Sequence, residues 1–325
     1  MASGNDFRIA LAKETTYGTR VAPTRFFAIT GEDIAFARQR AFSAALGMGR
    51  WTRPSVLTTR TGAGSISGEV PTTGFGYLLD ALHGNTVTPV QDGATTSYTQ
   101  THTLDTPPSK SYSLQKQIPP VTSSTLVPLD YTGVMFTGGA TFNWATGAQG
   151  LLTYDLPVTV QDETTGQTLV TYVAPTAWAP YAFMQGTVTI GGAAEANVMG
   201  NGSLAIGYSM RDDAYTLGGT GTIAKPVETD KPTASMTFTA DFNDLTNITR
   251  VTNNTIADVV LKFEGATIAS TFKYTFQVTL QDCVFTSPSP TVNDAGPVQQ
   301  GITLTAASTT GDPPIILYRS TDTTL

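Results

Sequence analysis

With 325 residues, the chain has room for two domains with cores of their own, or for one large one. It carries 58 threonines, one cysteine and only 13% charged residues, where about 25% is usual, so no internal disulfide staples it. No apolar run approaches the ~18 residues of a membrane helix. Met1–Ala12 lacks the apolar core of a signal peptide, so synthesis in the cytosol with no membrane partner is expected.

Threonine has a stiff, branched Cβ that suits a pleated surface. A chain rich in it and poor in charge reads as part of an assembled shell or fibre rather than a diffusing enzyme. The net charge of −7 is unevenly spread: residues 1–60 carry +5 and the rest −12. A basic front and an acidic body are complementary between copies. Nucleic-acid binding is the competing reading, but the acidic body would repel phosphate.

In chain order, residues 1–34 read as an extended arm ending in a first strand at Phe26–Thr30. Phe36–Gly62 holds Arg38, Arg40, Arg50, Trp51, Arg53 and Arg60 with no acid at all, and reads as a long loop without elements of its own. Loops of that length are usually functional or disordered, and Arg and Trp are favoured at interfaces. Gly64–Gly84 then runs from a strand into a helix. Ile66, Gly68 and Val70 alternate with polar residues, and Phe75, Leu78, Leu79 and Leu82 form one apolar stripe, with Thr73 as cap and Gly84 as stop. Strands are expected at Ser97–Leu104 and Tyr112–Ile118. A long hairpin follows, with Val134–Trp144 as one strand and Leu152–Val160 as the other.

A boundary falls at Pro175–Pro180. The second half restarts with Tyr181–Gly192, followed by strands at Gly202–Met210 and Tyr215–Ile223. A weaker strand–helix unit comes next: Met236, Phe238, Ala240 and Phe242 alternate, Asn243 caps, and Leu245, Ile248 and Val251 follow at three-residue spacing. Further strands are read at Val259–Phe263, Phe272–Leu280 and Val298–Ala306. Ile315, Ile316, Leu317 and Tyr318 form either a final strand or an arm lying on a neighbour. The order of elements repeats, although side-chain identity between the halves is low.

Little here points to chemistry. His83 and His102 have no local partner set, and no nucleophile elbow, Walker lysine loop or zinc motif is present. Asp241, Asn243, Asp244 and Asn247 lack the glycine and distal glutamate of a calcium loop, and helix capping explains them better. By strand parity Cys283 falls on a polar face, as a semi-exposed or interface thiol. No catalytic residue, cofactor or metal is expected.

Ile9–Ile34, IALAKETTYGTRVAPTRFFAITGEDI, resembles the opening of siphophage tail tube proteins. Lys13, Glu14, Thr16, Tyr17, Gly18 and Thr19, then Ala22, Pro23, Thr24, Arg25 and Phe26, carry the likeness. Tyr181–Gly192, Gly202–Met210 and Gln299–Ala306 are of the same type. The resemblance implies a mainly β fold of two tandem antiparallel sandwich units, each flanked by one short helix. The expected division is an arm and first strand at 1–34, a first tube-like domain at 35–174, and a second at 175–325 with a C-terminal arm. It also implies rings of three two-domain chains, or of six chains, closed into a β-barrel whose lumen conducts DNA without sequence-specific binding. Rings would stack through Arg38, Arg40, Arg50, Trp51, Arg53 and Arg60, with arm contacts from Tyr17, Arg25 and Ile315–Tyr318. A tape measure protein, a tail terminator and distal tail or baseplate proteins would be partners in a virion tail. A capsid decoration or receptor-binding β-sandwich is the alternative, and a hydrolase with a spatially assembled site the third.

Overall fold

The computed structural model describes residues 3–46, 50–51, 55–147, 150–175, 178–195, 198–286, 289–290, 292 and 295–325. The first half contains β1 (Arg8–Lys13), β2 (Arg25–Phe27), β3 (Gly31–Glu32), β4 (Ala35–Phe42), β5 (Ser55–Glu69), α1 (Gly76–Ala81), β6 (Val90–Gln91) and β7 (Tyr98–Thr103). It continues with β8 (Tyr112–Ile118), β9 (Val127–Val134), β10 (Ala140–Trp144), β11 (Thr153–Val160) and β12 (Asp162–Thr164). The second half contains β13 (Gly186–Ile190), β14 (Ala193–Ala194), β15 (Val198–Arg211), β16 (Val227–Asp241) and α2 (Thr246–Thr252). Then come β17 (Ile256–Ala269), β18 (Phe272–Phe285), β19 (Gln299–Ala306) and β20 (Ile315–Ser320). The fold is mainly β and its sheets are antiparallel, as the alternating sequence demands.

The pairing pattern occurs twice. In the first half five strands run in the order β12-β9-β8-β1-β2, and in the second β20-β18-β17-β13-β14. Each half adds a second layer, β10-β11-β5-β4 and β18-β19-β16-β15. The register repeats as well. Ile66 pairs with Leu156 and Met236 with Leu304, and α1 and α2 start at Gly76 and Thr246, ten residues after Ile66 and Met236 respectively. In the second half one strand, β18, serves both layers. It bends at Asp282, which has φ of +50°, and its ladder with β17 slips between Ala257 and Val259. In the first half the corresponding strand is cut in two. The expected single strand Val134–Trp144 breaks at Gly139, where φ is +84° and a Cβ would lie 2.0 Å from the Ile206 carbonyl oxygen.

The two halves share their sheet. β10 pairs with β15 from Ala140↔Ile206 to Trp144↔Gly202. β7, an insertion between α1 and β8, pairs with β20 from Thr103↔Ile315 to Tyr98↔Ser320. The core is continuous across the join. Phe75, at the start of α1, has its ring centroid 5.0–6.3 Å from those of Phe142 and Tyr154 in the first half and Phe276 and Tyr318 in the second. Such edge-on and tilted ring pairs add to plain area burial. The helix stripe is the expected one: Phe75, Leu78, Leu79 and Leu82 are all buried.

Several expectations are corrected. Residues Arg8–Lys13, read as part of an arm, form β1 between β2 and β8; four consecutive buried residues hide the period-2 signal. The Arg-rich stretch is not an irregular loop. Its two sides are the strands β4 and β5, whose exposed face lacks the apolar alternation that marks a half-buried strand. Tyr215–Ile223 forms no strand. Phe75 and Leu245 stand at the N-cap positions and make no side-chain cap bond themselves, and at the start of α2 the Asp244 carboxylate accepts from the Thr246 N–H at 2.8 Å. Cys283 is fully buried, because the bend at Asp282 shifts the strand's parity by one and turns the thiol inward. Burial pushes its pKa up to about 12, so it is not an activated nucleophile.

Candidate functional site

The wide sheet has one face in the core and one outside it. On the core face sit Ile66, Leu156, Phe142, Leu204, Met236 and Leu304. Gly202 belongs there because the Trp144 ring lies over it, 2.1 Å from where a Cβ would stand. Strand alternation then fixes the opposite face. Reading across the ladders, one row runs Glu69–Thr153–Asn143–Ser203–Thr237–Thr303. The next runs Ser67–Asp155–Thr141–Ala205–Ser235–Thr305. These positions are half-buried or exposed. Their side chains are short, mostly hydroxylic, and include two carboxylates and no cation. Ser67 Oγ donates to Asp155 Oδ1 at 2.7 Å. The rows cross both halves without interruption, and that continuity comes from the β10–β15 join.

From one end of this sheet the β4–β5 hairpin projects as an arm. Its base is held to the body. Arg38 meets Glu163 at 3.3 Å and Arg60 meets Asp162 at 3.0 Å. The Arg60 N–H donates to the Gly221 carbonyl at 2.7 Å, which lays the 212–226 connection along β5. Arg40 donates to Ser55 Oγ across the hairpin at 3.1 Å. Farther out, Arg50 and Trp51 are exposed, Trp51 to 90%. Arg53 lies outside the described residues. The arginines therefore divide into two that anchor the arm and two, Arg40 and Arg50, carried out along it.

The remaining expected contact residues lie within the chain's own fold. Tyr17 packs beside Gly133 in the first half. Its pKa is raised by burial and then by Glu14. Arg25 lies in β2 with its guanidinium 5.8 Å from the Tyr77 ring centroid. Ile315–Tyr318 form the final strand of the two alternatives, with Ile316 and Tyr318 fully buried between β18 and β7. The Lys-Glu-Thr-Thr-Tyr-Gly-Thr segment has an architectural explanation. The Glu14 carboxylate is buried and accepts from the Gly18 N–H, Ser113 Oγ and the Gly133 N–H at 2.9–3.0 Å.

Both histidines are buried in the interior. His83, just after α1, has its Nδ1 3.2 Å from Tyr208 Oη of the second half. The His102 ring lies 5.6 Å away, centroid to centroid. Burial, reinforced by nearby Lys110, pushes both down to about 3, so both are neutral. Among the described residues no three His, Cys, Asp or Glu side chains are grouped to hold a metal ion. Among them also, no helix is long and apolar enough to cross a membrane.

The chain thus combines a twice-repeated sheet pattern, an uncharged-to-anionic face shared across the repeat, and a basic arm. The chain belongs to the phage tail tube protein family, whose pattern matches residues 4–306, nearly its whole length. No curated protein matches it. Members are structural, so the chain is a structural component of a phage tail that assembles with copies of itself into a tube.

Proposed function

We propose that this chain is the major tail tube subunit of a long-tailed siphophage, with three copies forming each ring. The observation that carries the proposal is the β10–β15 join, which already links two wall units side by side within one chain. By register, Glu32 on Ile66 stands where Leu204 stands on Met236, so β3–β4 corresponds to β15. The end of β18 corresponds to β10, since both flank the strand that pairs with the long hairpin. Among the described residues β3 and β4 have β5 as their only partner strand. The end of β18 is covered on its outer side by the start of β17, at Val284↔Ile256 and Cys283↔Ala257, so a neighbouring chain would meet the open edge of β3–β4 through that start of β17. Closing the ring removes the edges that would otherwise invite irregular pairing.

Circumference favours several chains. Each half supplies four strands to the wide sheet. At about 4.8 Å per strand, one chain's eight would close to a diameter of roughly 12 Å, and three chains to roughly 37 Å before strand tilt widens it. Only the latter leaves room for a DNA duplex. The Ser/Thr-rich face would then line the lumen. With two carboxylates and no cation in its two rows, it gives phosphates nothing to hold, so DNA passes without sequence-specific binding. Rings stack through the arms, with Arg40, Arg50 and Trp51 at the inter-ring contact. Tape measure, tail terminator and distal tail or baseplate proteins complete the tail, and synthesis takes place in the host cytoplasm. Negative-stain microscopy of the purified protein tests this reading: rings and stacked tubes are expected, and their absence at every concentration would overturn it.

A further inference from the structure

We propose that the arm tip of one copy docks in an apolar cleft at the far end of a second copy's sheet, beside Met184. This rests on the tube reading above and names the receiving surface it needs. The cleft has a volume of about 350 Å³, and its floor is made by Trp144, Phe263 and Val198. Met184 stands at its rim, 94% exposed, next to Phe183. An unbranched side chain left so open beside a cleft marks a surface that fits an apolar partner.

The arm supplies that partner. Leu46 is 97% exposed and Trp51 90%, and Phe42 and Val56 are also open to solvent. Charge agrees with the match. The chain has no acid between residues 34 and 62, while Arg40 and Arg50 ride on the arm. The receiving end carries Glu69 and Asp241 at the ends of β5 and β16, with Asp244 just beyond. Direction agrees as well. β5 runs from the arm tip to Glu69, β10 runs parallel to it through antiparallel β11, and Trp144 ends β10 one residue past the row that holds Glu69 and Asn143. Tip and cleft therefore lie at opposite ends of one sheet. A contact between opposite ends of identical subunits is heterologous and propagates as a filament.

The test uses the unmodified chain first. Hydrogen peroxide should oxidise Met184 readily in free chains and at least about tenfold more slowly in assembled tubes, read by peptide mass spectrometry. The second measurement is a Trp51→Cys, Met184→Cys variant, oxidised after assembly; the native Cys283 is buried and stays out of the exchange. A ladder of covalently joined chains on a non-reducing gel supports docking. Tubes in which Met184 oxidises as fast as in free chains, or that give no ladder, would overturn the docking site while leaving the tube reading intact. Failure of the unmodified chain to form tubes at all would overturn both.

Discussion

Phe142 and Leu204 pair across the β10–β15 ladder, one from each half of the chain and both fully buried. Phe142 also has its ring centroid 5.0 Å from that of Phe276. The two halves are thus joined through a single shared core. Phe142→Ala should cost about 3–5 kcal/mol and lower the urea midpoint of the whole chain in one transition. A variant in which only residues 8–164 lose structure would show that the halves are independent.

The Glu14 carboxylate satisfies two backbone N–H groups and one hydroxyl in the interior of the first half. Glu14→Ala strands all three and should cost about 3 kcal/mol, measured by urea denaturation. Glu14→Gln keeps an acceptor oxygen and should lose less. Equal losses would mean that the acceptor is not what matters.

His83 and His102 give a pH dependence of definite sign. Both titrate near 6.5 when unfolded and are pushed down to about 3 in the folded chain, by burial first. For His83, the neighbouring His102 and Lys110 add to the shift while Asp80 and Asp105 oppose it. Below about 6.5 the unfolded chain takes up protons that the folded chain refuses, so stability falls as pH falls, by roughly 1.4 kcal/mol per histidine per pH unit until the folded value is reached. Melting temperatures between pH 7 and 4.5 should show this slope, and His102→Gln should flatten it. An unchanged slope would place the acid sensitivity elsewhere.

Much of the fold was legible because it rests on local pattern. The buried stripe of α1, the strand at Tyr112–Ile118 and the repeated order of elements follow from periods of 3.6 and 2. What stayed hidden depends on register and on bends. Thr141, Asn143, Thr153 and Asp155 read individually as polar-face residues, but nothing local says that Ser203 and Thr237 continue their rows. Cys283 misled because one residue with positive φ flips the parity beyond it. Nothing local separates Arg38 and Arg60 from Arg50, because their respective partners Glu163 and Asp162 lie far along the chain.

The sparse charge of the shared polar face can be changed without touching the core. Asn143→Arg, on an exposed position of one row, should leave tubes of normal length but slow the release of DNA from phage particles carrying it. Normal release kinetics would indicate that this face does not line the lumen.

Arm docking has an electrostatic share. Arg50→Glu should shorten or abolish tubes while leaving the melting temperature unchanged, because Arg50 is exposed. Raising salt should weaken assembly of the unmodified chain for the same reason. Tubes indifferent to both changes would leave the arm without a role in stacking.

The most direct measurement is the mass of a single ring, by native mass spectrometry of rings released from tubes. A ring of three chains of 34.2 kDa each is expected, with six similar wall units in projection. A ring of six chains would contradict the assignment of two wall units to every chain.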